Sequence, residues 1–204
     1  KYVDILSTDI DRPKNRILNR IFPQIIERWA GKKLINHLSN SNKKYHWIIV
    51  FKGMEFNLKA LQLCKNLAPN AVWININPDD PYNEVSRGAS NLNVKGCIRF
   101  FDYYCMWSKT ITKRLKKDGC SRVLYLPFAY DEDFHLRPDK ISVSQPEFIA
   151  FVGTWDKPRE LLLSELGDFN VKIFGNGWSR ASKDFPLKNN VSSEAIFGDD
   201  LSTI

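Results

Sequence analysis

Two short stretches carry residue types that can do chemistry. The first, Phe151-Val152-Gly153-Thr154, runs on into Trp155-Asp156-Lys157-Pro158-Arg159. A glycine after an apolar run lets a ligand approach the backbone, and a helix opening beyond it offers unpaired amides and a partial positive charge to a phosphate. Arg159, in the first turn of such a helix, can add a bidentate, permanently charged contact to a diphosphate. The same residues equally make a plain strand-to-helix connection with an exposed arginine, and a motif this short leaves both readings open. The second stretch is Pro78-Asp79-Asp80-Pro81. Adjacent acids on an extended segment point opposite ways, so one at most faces a substrate, where it would take a proton from an acceptor hydroxyl or orient it. Turn formation between prolines is the competing role.

Other chemistries find little support. The chain has no G-x-x-x-x-G-K-[ST] phosphate loop, and no G-x-S-x-G elbow for a Ser-His-Asp hydrolase. His37, His46 and His135 are far apart and form no ligand pair, and no dispersed Asp/Glu set points to a metal. Cys64, Cys97, Cys105 and Cys120 are scattered without a C-x-x-C pair, which reads as reduced thiols serving as small hydrophobes.

The 30 Lys and Arg against 23 Asp and Glu leave a net charge of +7. These residues are not gathered in one tail, so nucleic acid is not an expected partner; a nucleic-acid binder would show affinity that falls steeply with salt. The densest cluster, Lys109, Lys113, Arg114, Lys116 and Lys117, flanks Ile111 and Leu115 and reads as an amphipathic helix with a solvated basic face. Docking on a negatively charged membrane surface is the alternative reading. No run of about 18 apolar residues occurs, and no basic region followed by an apolar one opens the chain. A cytoplasmic location is expected, with peripheral contact at the inner face of the membrane as its variant.

The elements that would position these residues alternate along the chain. Apolar or β-branched runs at Val3–Ile10, His46–Phe51, Ala71–Asn77, Asp102–Trp107, Arg122–Leu126, Phe148–Val152 and Asn170–Phe174 predict strands. The unbroken apolar run Trp47-Ile48-Ile49-Val50-Phe51 suggests a strand covered on both faces. Helices are expected at Asn15–Leu38, broken near Pro23, and at Phe56–Leu67, with Leu58, Leu61, Cys64 and Leu67 on one stripe. Ser108 can cap a helix over 109–118 that Gly119 ends. Asp156 or Lys157 opens another, with Leu161, Leu162 and Leu166 facing inward and Gly167 as its stop. Repeated strand–helix–strand order predicts an α/β fold with a parallel, doubly wound sheet. The charged, proline-bearing stretch after Asp131 reads as a seam, giving a first domain at 1–135, a linker at 136–147 and the start of a second domain at 148–204.

Ligands of an open α/β sheet bind beyond the carboxyl ends of its strands. Lys52-Gly53, Asn77 with Asp79 and Asp80, Pro127-Phe128, Gly153-Thr154 and Gly175-Asn176-Gly177-Trp178 all follow strands. This ordered set, together with Trp73-Ile74-Asn75-Ile76, Phe101-Asp102-Tyr103-Tyr104, Trp107-Ser108-Lys109, Val123-Leu124-Tyr125-Leu126 and Arg159, resembles the CgeB-type (spore-maturation-protein-like) glycosyltransferases over about residues 46–178. The resemblance implies a GT-B architecture of two Rossmann-like domains and metal-independent transfer from a nucleotide-diphosphate sugar, with no cofactor beyond that co-substrate. The acceptor would be a glycan, a lipid-linked molecule or a protein. Carried over by position, Gly153, Thr154 and Arg159 would lie near the donor diphosphate, and Gly175 and Trp178 would shape the donor pocket. Lys52, Gly53 and Asn77 would stand on the acceptor side, and Asp79 or Asp80 would be catalytic.

The family's first strand and the later part of its second domain have no counterpart here, so these 204 residues alone are expected to be inactive. A non-catalytic module that keeps the fold for nucleotide or sugar recognition is the alternative; it would bind nucleotide without turning over a donor.

Overall fold

The computed structural model describes residues 3–8, 13–83, 88–131, 148–192 and 195–196. The chain divides into two compact units, Lys1–Phe128 and Ala129–Ile204. The expected linker at 136–147 and His135 lie outside the described residues.

The first unit begins with α1 (Pro13–Ile21) and α2 (Pro23–Asn40). One long helix was expected to break here, and it does so at Phe22, because Pro23 has no amide for a helix interior but suits a first turn. Then follow β1 (Trp47–Phe51), α3 (Leu58–Leu67), β2 (Val72–Asn77), α4 (Leu92–Cys97), β3 (Tyr103–Met106), α5 (Lys109–Lys117) and β4 (Val123–Tyr125). Asn57, Asn91 and Ser108 cap α3, α4 and α5, each side chain accepting from the amide three residues on. Gly119 takes a positive φ of 88° just past α5.

The expected first strand does not form over residues 3–8, and 9–10 lie outside the described residues. Polar side chains claim the segment instead: Asp4 accepts from Lys43 Nζ and Tyr45 Oη, and Lys33 Nζ donates to the Ser7 carbonyl at 2.6 Å.

All four strands pair in parallel in the order β1-β2-β3-β4. Sequential order with crossovers of one hand puts the connecting helices on one side. The core agrees: Val50, Trp73, Tyr104 and Met106 meet Leu61 and Cys64 of α3, Cys97 of α4 and Leu115 of α5. Among the described residues the sheet is therefore wound on one face only, where a doubly wound sheet was expected. The opposite face of β1 is open, with Trp47, Ile49 and Phe51 exposed at 60%, 50% and 71%. Its unbroken apolar run predicted cover on both sides, and no described element supplies it.

Two helix faces also differ from expectation. On α3, Leu61 and Cys64 are buried, but Leu58 and Leu67 are partly solvated. A spacing of three loses about 60° per step on a helix turning 100° per residue, so four such positions cannot share a face.

The second unit holds β5 (Ile149–Val152), α6 (Lys157–Ser164), β6 (Val171–Phe174) and the short β7 (Val191–Ser192), paired in parallel in the order β5-β6-β7. Leu163, Val171, Ile173, Trp178, Phe185 and Leu187 form its core. On α6 the inward positions are Glu160 and Leu163; Leu161 and Leu162 are exposed at 58% and 68%, while Leu166 packs partly against the core. The helix ends at Ser164, before the expected stop at Gly167. Among the described residues no helix is long and apolar enough to cross a membrane.

All four cysteines are free and buried, and burial pushes the thiols of Cys64 and Cys97 up to about 11. The basic residues of α5 line its solvated side, where the Arg114 guanidinium lies 3.6 Å from the Tyr82 ring centroid.

Candidate functional site

In each unit the sequence-predicted residues gather where parallel strands end. In the first unit, β1 runs into Lys52 and Gly53, both in left-handed conformation with φ of 58° and 83°. That is ordinary for glycine, but for lysine it costs roughly 1–2 kcal/mol. The neighbouring strand holds the turn in place: Lys52 N donates to the Ile76 carbonyl at 2.9 Å, and Asn75 Nδ2 donates to the Lys52 carbonyl at 3.2 Å. The Lys52 ammonium then reaches across to the Asp79 carboxylate and the Gly88 carbonyl.

Asn77, 2% exposed at the end of β2, sets the next loop. Its Nδ2 donates to Tyr104 Oη at 2.9 Å, and its Oδ1 accepts from Asp79 N at 2.9 Å. The two adjacent acids do part ways. Asp79 pairs with Lys52, whereas Asp80 accepts from Tyr82 N at 2.8 Å and closes a turn. Thus Lys52, Gly53, Asn77 and Asp79 come together, and Asp80 turns aside into the loop. Asn75 and Tyr104, which the sequence reading quoted for the resemblance but did not assign to the site, hold this group through their bonds to the Lys52 carbonyl and Asn77. Burial raises the Tyr104 hydroxyl far above its ordinary range, which keeps it a neutral partner for Asn77. At the ends of β3 and β4, Trp107 and Phe128 stack with ring centroids 5.7 Å apart.

The second unit joins its two strand-end turns more tightly. Gly153 N donates to the Phe174 carbonyl and Trp155 N to the Asn176 carbonyl, each at 2.8 Å, so the sheet pairing continues into both turns. Trp178 Nε1 donates to the Gly153 carbonyl at 2.9 Å. Gly175, at φ 147°, passes so close that a Cβ there would stand 2.2 Å from that same carbonyl oxygen. Only glycine fits. Arg159 Nη1 donates to the Thr154 carbonyl at 2.6 Å, which draws the guanidinium back over the turn. Gly153, Thr154, Arg159, Gly175 and Trp178 are therefore all assembled in one place.

The start of α6 is not the open row of amides that the sequence suggested. Asp156 caps it, its Oδ1 accepting from Arg159 N at 2.8 Å, and its Oδ2 lies 3.5 Å from Arg159 Nε. An anion arriving here meets the guanidinium and the Gly153–Thr154 backbone, with a carboxylate already on the helix end. Beneath the turn lies Glu160, 2% exposed and absent from the sequence-predicted set. Its carboxylate accepts from Trp155 Nε1 at 2.8 Å, Lys157 Nζ at 2.6 Å, Ser182 N at 3.3 Å and Ser182 Oγ. The Lys157 and Ser182 bonds outweigh desolvation and hold the carboxyl down to about 2.

No family model and no curated protein matches the chain.

The chemistry of the site must then be read from its own groups. The first unit offers a lysine–aspartate pair on a strained turn, backed by two buried asparagines. The second offers a guanidinium and a glycine backbone at the ends of β5 and β6. Among the described residues no group of three or more His, Cys, Asp or Glu stands placed to hold a metal ion.

Proposed function

We propose that the protein is a GT-B type glycosyltransferase that moves a sugar from a nucleotide-diphosphate sugar to a glycan, lipid-linked or protein acceptor without a metal. The observation that carries this reading is the interlocked pair of turns after β5 and β6, with Gly175 pressed on Gly153 and Arg159 drawn over Thr154. Glycine backbone and a guanidinium at the carboxyl ends of parallel strands suit a diphosphate. The ordered resemblance to the CgeB-type enzymes supports the same assignment.

In this reading Arg159 balances the charge that builds on the departing diphosphate, and Gly153, Thr154, Gly175 and Trp178 shape the donor pocket. Lys52 and Asp79 face the acceptor, Asp79 as the group that orients or deprotonates its hydroxyl. One observation favours the alternative, a non-catalytic nucleotide- or sugar-binding module. Lys52 already engages Asp79, and Asp80 is spent on a turn, so neither acid stands as a free base.

A thermal-shift screen of uridine, guanosine, cytidine and thymidine diphosphates on the full-length protein separates the readings, followed by assay of donor turnover with those that bind. Binding lost in Arg159→Ala, with turnover lost in Asp79→Asn, is the expected result. Binding without turnover selects the module, and no binding by any diphosphate overturns the transferase and any nucleotide-binding module.

A further inference from the structure

Glu160 is the one acidic side chain buried in the described residues, and its partners are not spread through the core. Trp155 belongs to the turn after β5 and Lys157 opens α6, whereas Ser182 lies just past the helical turn at Trp178–Arg180 that follows β6. One carboxylate therefore ties the two strand-end segments together, and Gly175 and Trp178 tie them a second time through the Gly153 carbonyl. A residue whose only task was to anchor α6 would do as well with an apolar side chain, since a buried charge must first be stripped of water. Here the carboxylate meets four donors instead, which fixes direction as well as distance.

We propose that Glu160 is the positioning residue of the second unit's site, setting where Arg159 and the Gly153–Thr154 backbone stand for a diphosphate. Glu160 and Arg159 are neighbours on α6, but the first is buried and the second half-exposed. Glu160 faces inward onto Trp155, Lys157 and Ser182, and Arg159 faces outward onto the Thr154 carbonyl. When the inner face is pinned, the outer guanidinium is held at one height above Gly153, where Nη1 lies 3.9 Å from the place a Cβ would take. Loosening the pin lets Trp155 and Lys157 drift, and the donor Arg159 and its backbone partners then lose their common geometry. The assignment of a diphosphate rests on the function proposed above; the pinning of the two segments does not.

Glu160→Gln tests this in the full chain, because an amide keeps the size but presents an N–H pair to at least one of the four donors. Amide hydrogen exchange is measured on the wild type, Glu160→Gln and Val171→Ala, the last a core truncation at the far end of β6. Affinity for the four nucleoside diphosphates is measured on the same proteins. Faster exchange at 153–157 and 177–182 in Glu160→Gln, with β5 and β6 protected as before, is expected, together with diphosphate binding weaker by about tenfold or more, as when an outer partner of a binding group is lost. Val171→Ala should lower stability while leaving affinity unchanged. Unaltered exchange at those segments overturns the proposal whatever the ligand does. Equal affinity in the wild type and Glu160→Gln, or an equal loss in Val171→Ala, overturns the positioning role. Faster exchange in a protein whose wild type binds no diphosphate leaves Glu160 a structural pin, and there it is the diphosphate reading that has failed.

Discussion

Single side chains in this protein are held in states that their neighbours dictate. Lys52 keeps a backbone conformation that lysine avoids because Ile76, Asn75 and Asp79 all grip it. Glu160 stays charged inside the second unit because its donors outweigh its desolvation. That second case fixes a pH dependence. The carboxyl ionises near 4.5 in an unfolded chain and is held down to about 2 when folded. A depressed acid contributes stability that is complete above the unfolded value and drains away as pH falls from about 4.5 through about 2. Denaturant titrations followed by amide exchange in β5 and β6 should show the wild type losing stability across that window. Glu160→Gln should start lower and vary less there; identical pH profiles would remove the carboxylate from the account. The sequence displayed Lys52, Asn77 and Asp79 as strand-end residues, since position after a strand is legible from pattern alone. It did not display Glu160, because a glutamate in a first helical turn is ordinarily a solvated partner of the macrodipole. The lysine three residues before it was the one available sign.

At the scale of elements, the strands were the easier part to read. β1, β2, β3, β4, β5 and β6 stand within a residue or so of the apolar runs that announced them. Short apolar strands advertise themselves by composition, and their partners in a parallel sheet need no special turn. Helix faces were harder. Three consecutive leucines on α6 give no phase by themselves, and Glu160 supplied it by taking an inward position that hydrophobicity assigns to a leucine. The result is testable one residue at a time. Leu163 is 4% exposed in the core, so Leu163→Ala should cost about 2–5 kcal/mol in urea titrations. Leu162, 68% exposed one position earlier, should tolerate Leu162→Lys within about 0.5 kcal/mol. Were the inward face the one the leucine pattern suggested, the two costs would exchange.

For the whole molecule, the parallel α/β character was legible, and the winding was not. Each strand–helix–strand passage looks alike in sequence whichever face of the sheet the helix covers, so a doubly wound and a singly wound order share one pattern. Only the burial of Val50, Trp73 and Tyr104 on one side, against Trp47, Ile49 and Phe51 on the other, separates them. The open side has an energetic signature. A side chain already in water gains little by burial that a polar replacement would forfeit, whereas a leucine-sized group enclosed in a core forfeits several kcal/mol. Ile49→Ser and Phe51→Ser should therefore each shift the stability of the first unit by less than about 1 kcal/mol, despite lying in the middle and at the end of β1. Leu61→Ala, enclosed at 1% exposure on the opposite face, should cost about 2–5 kcal/mol. The two serine variants should also bind less of a fluorescent apolar dye, because the exposed row that the dye would sit on has been broken. A loss of several kcal/mol at Ile49 would mean that β1 is covered on both sides in solution, as its composition first implied.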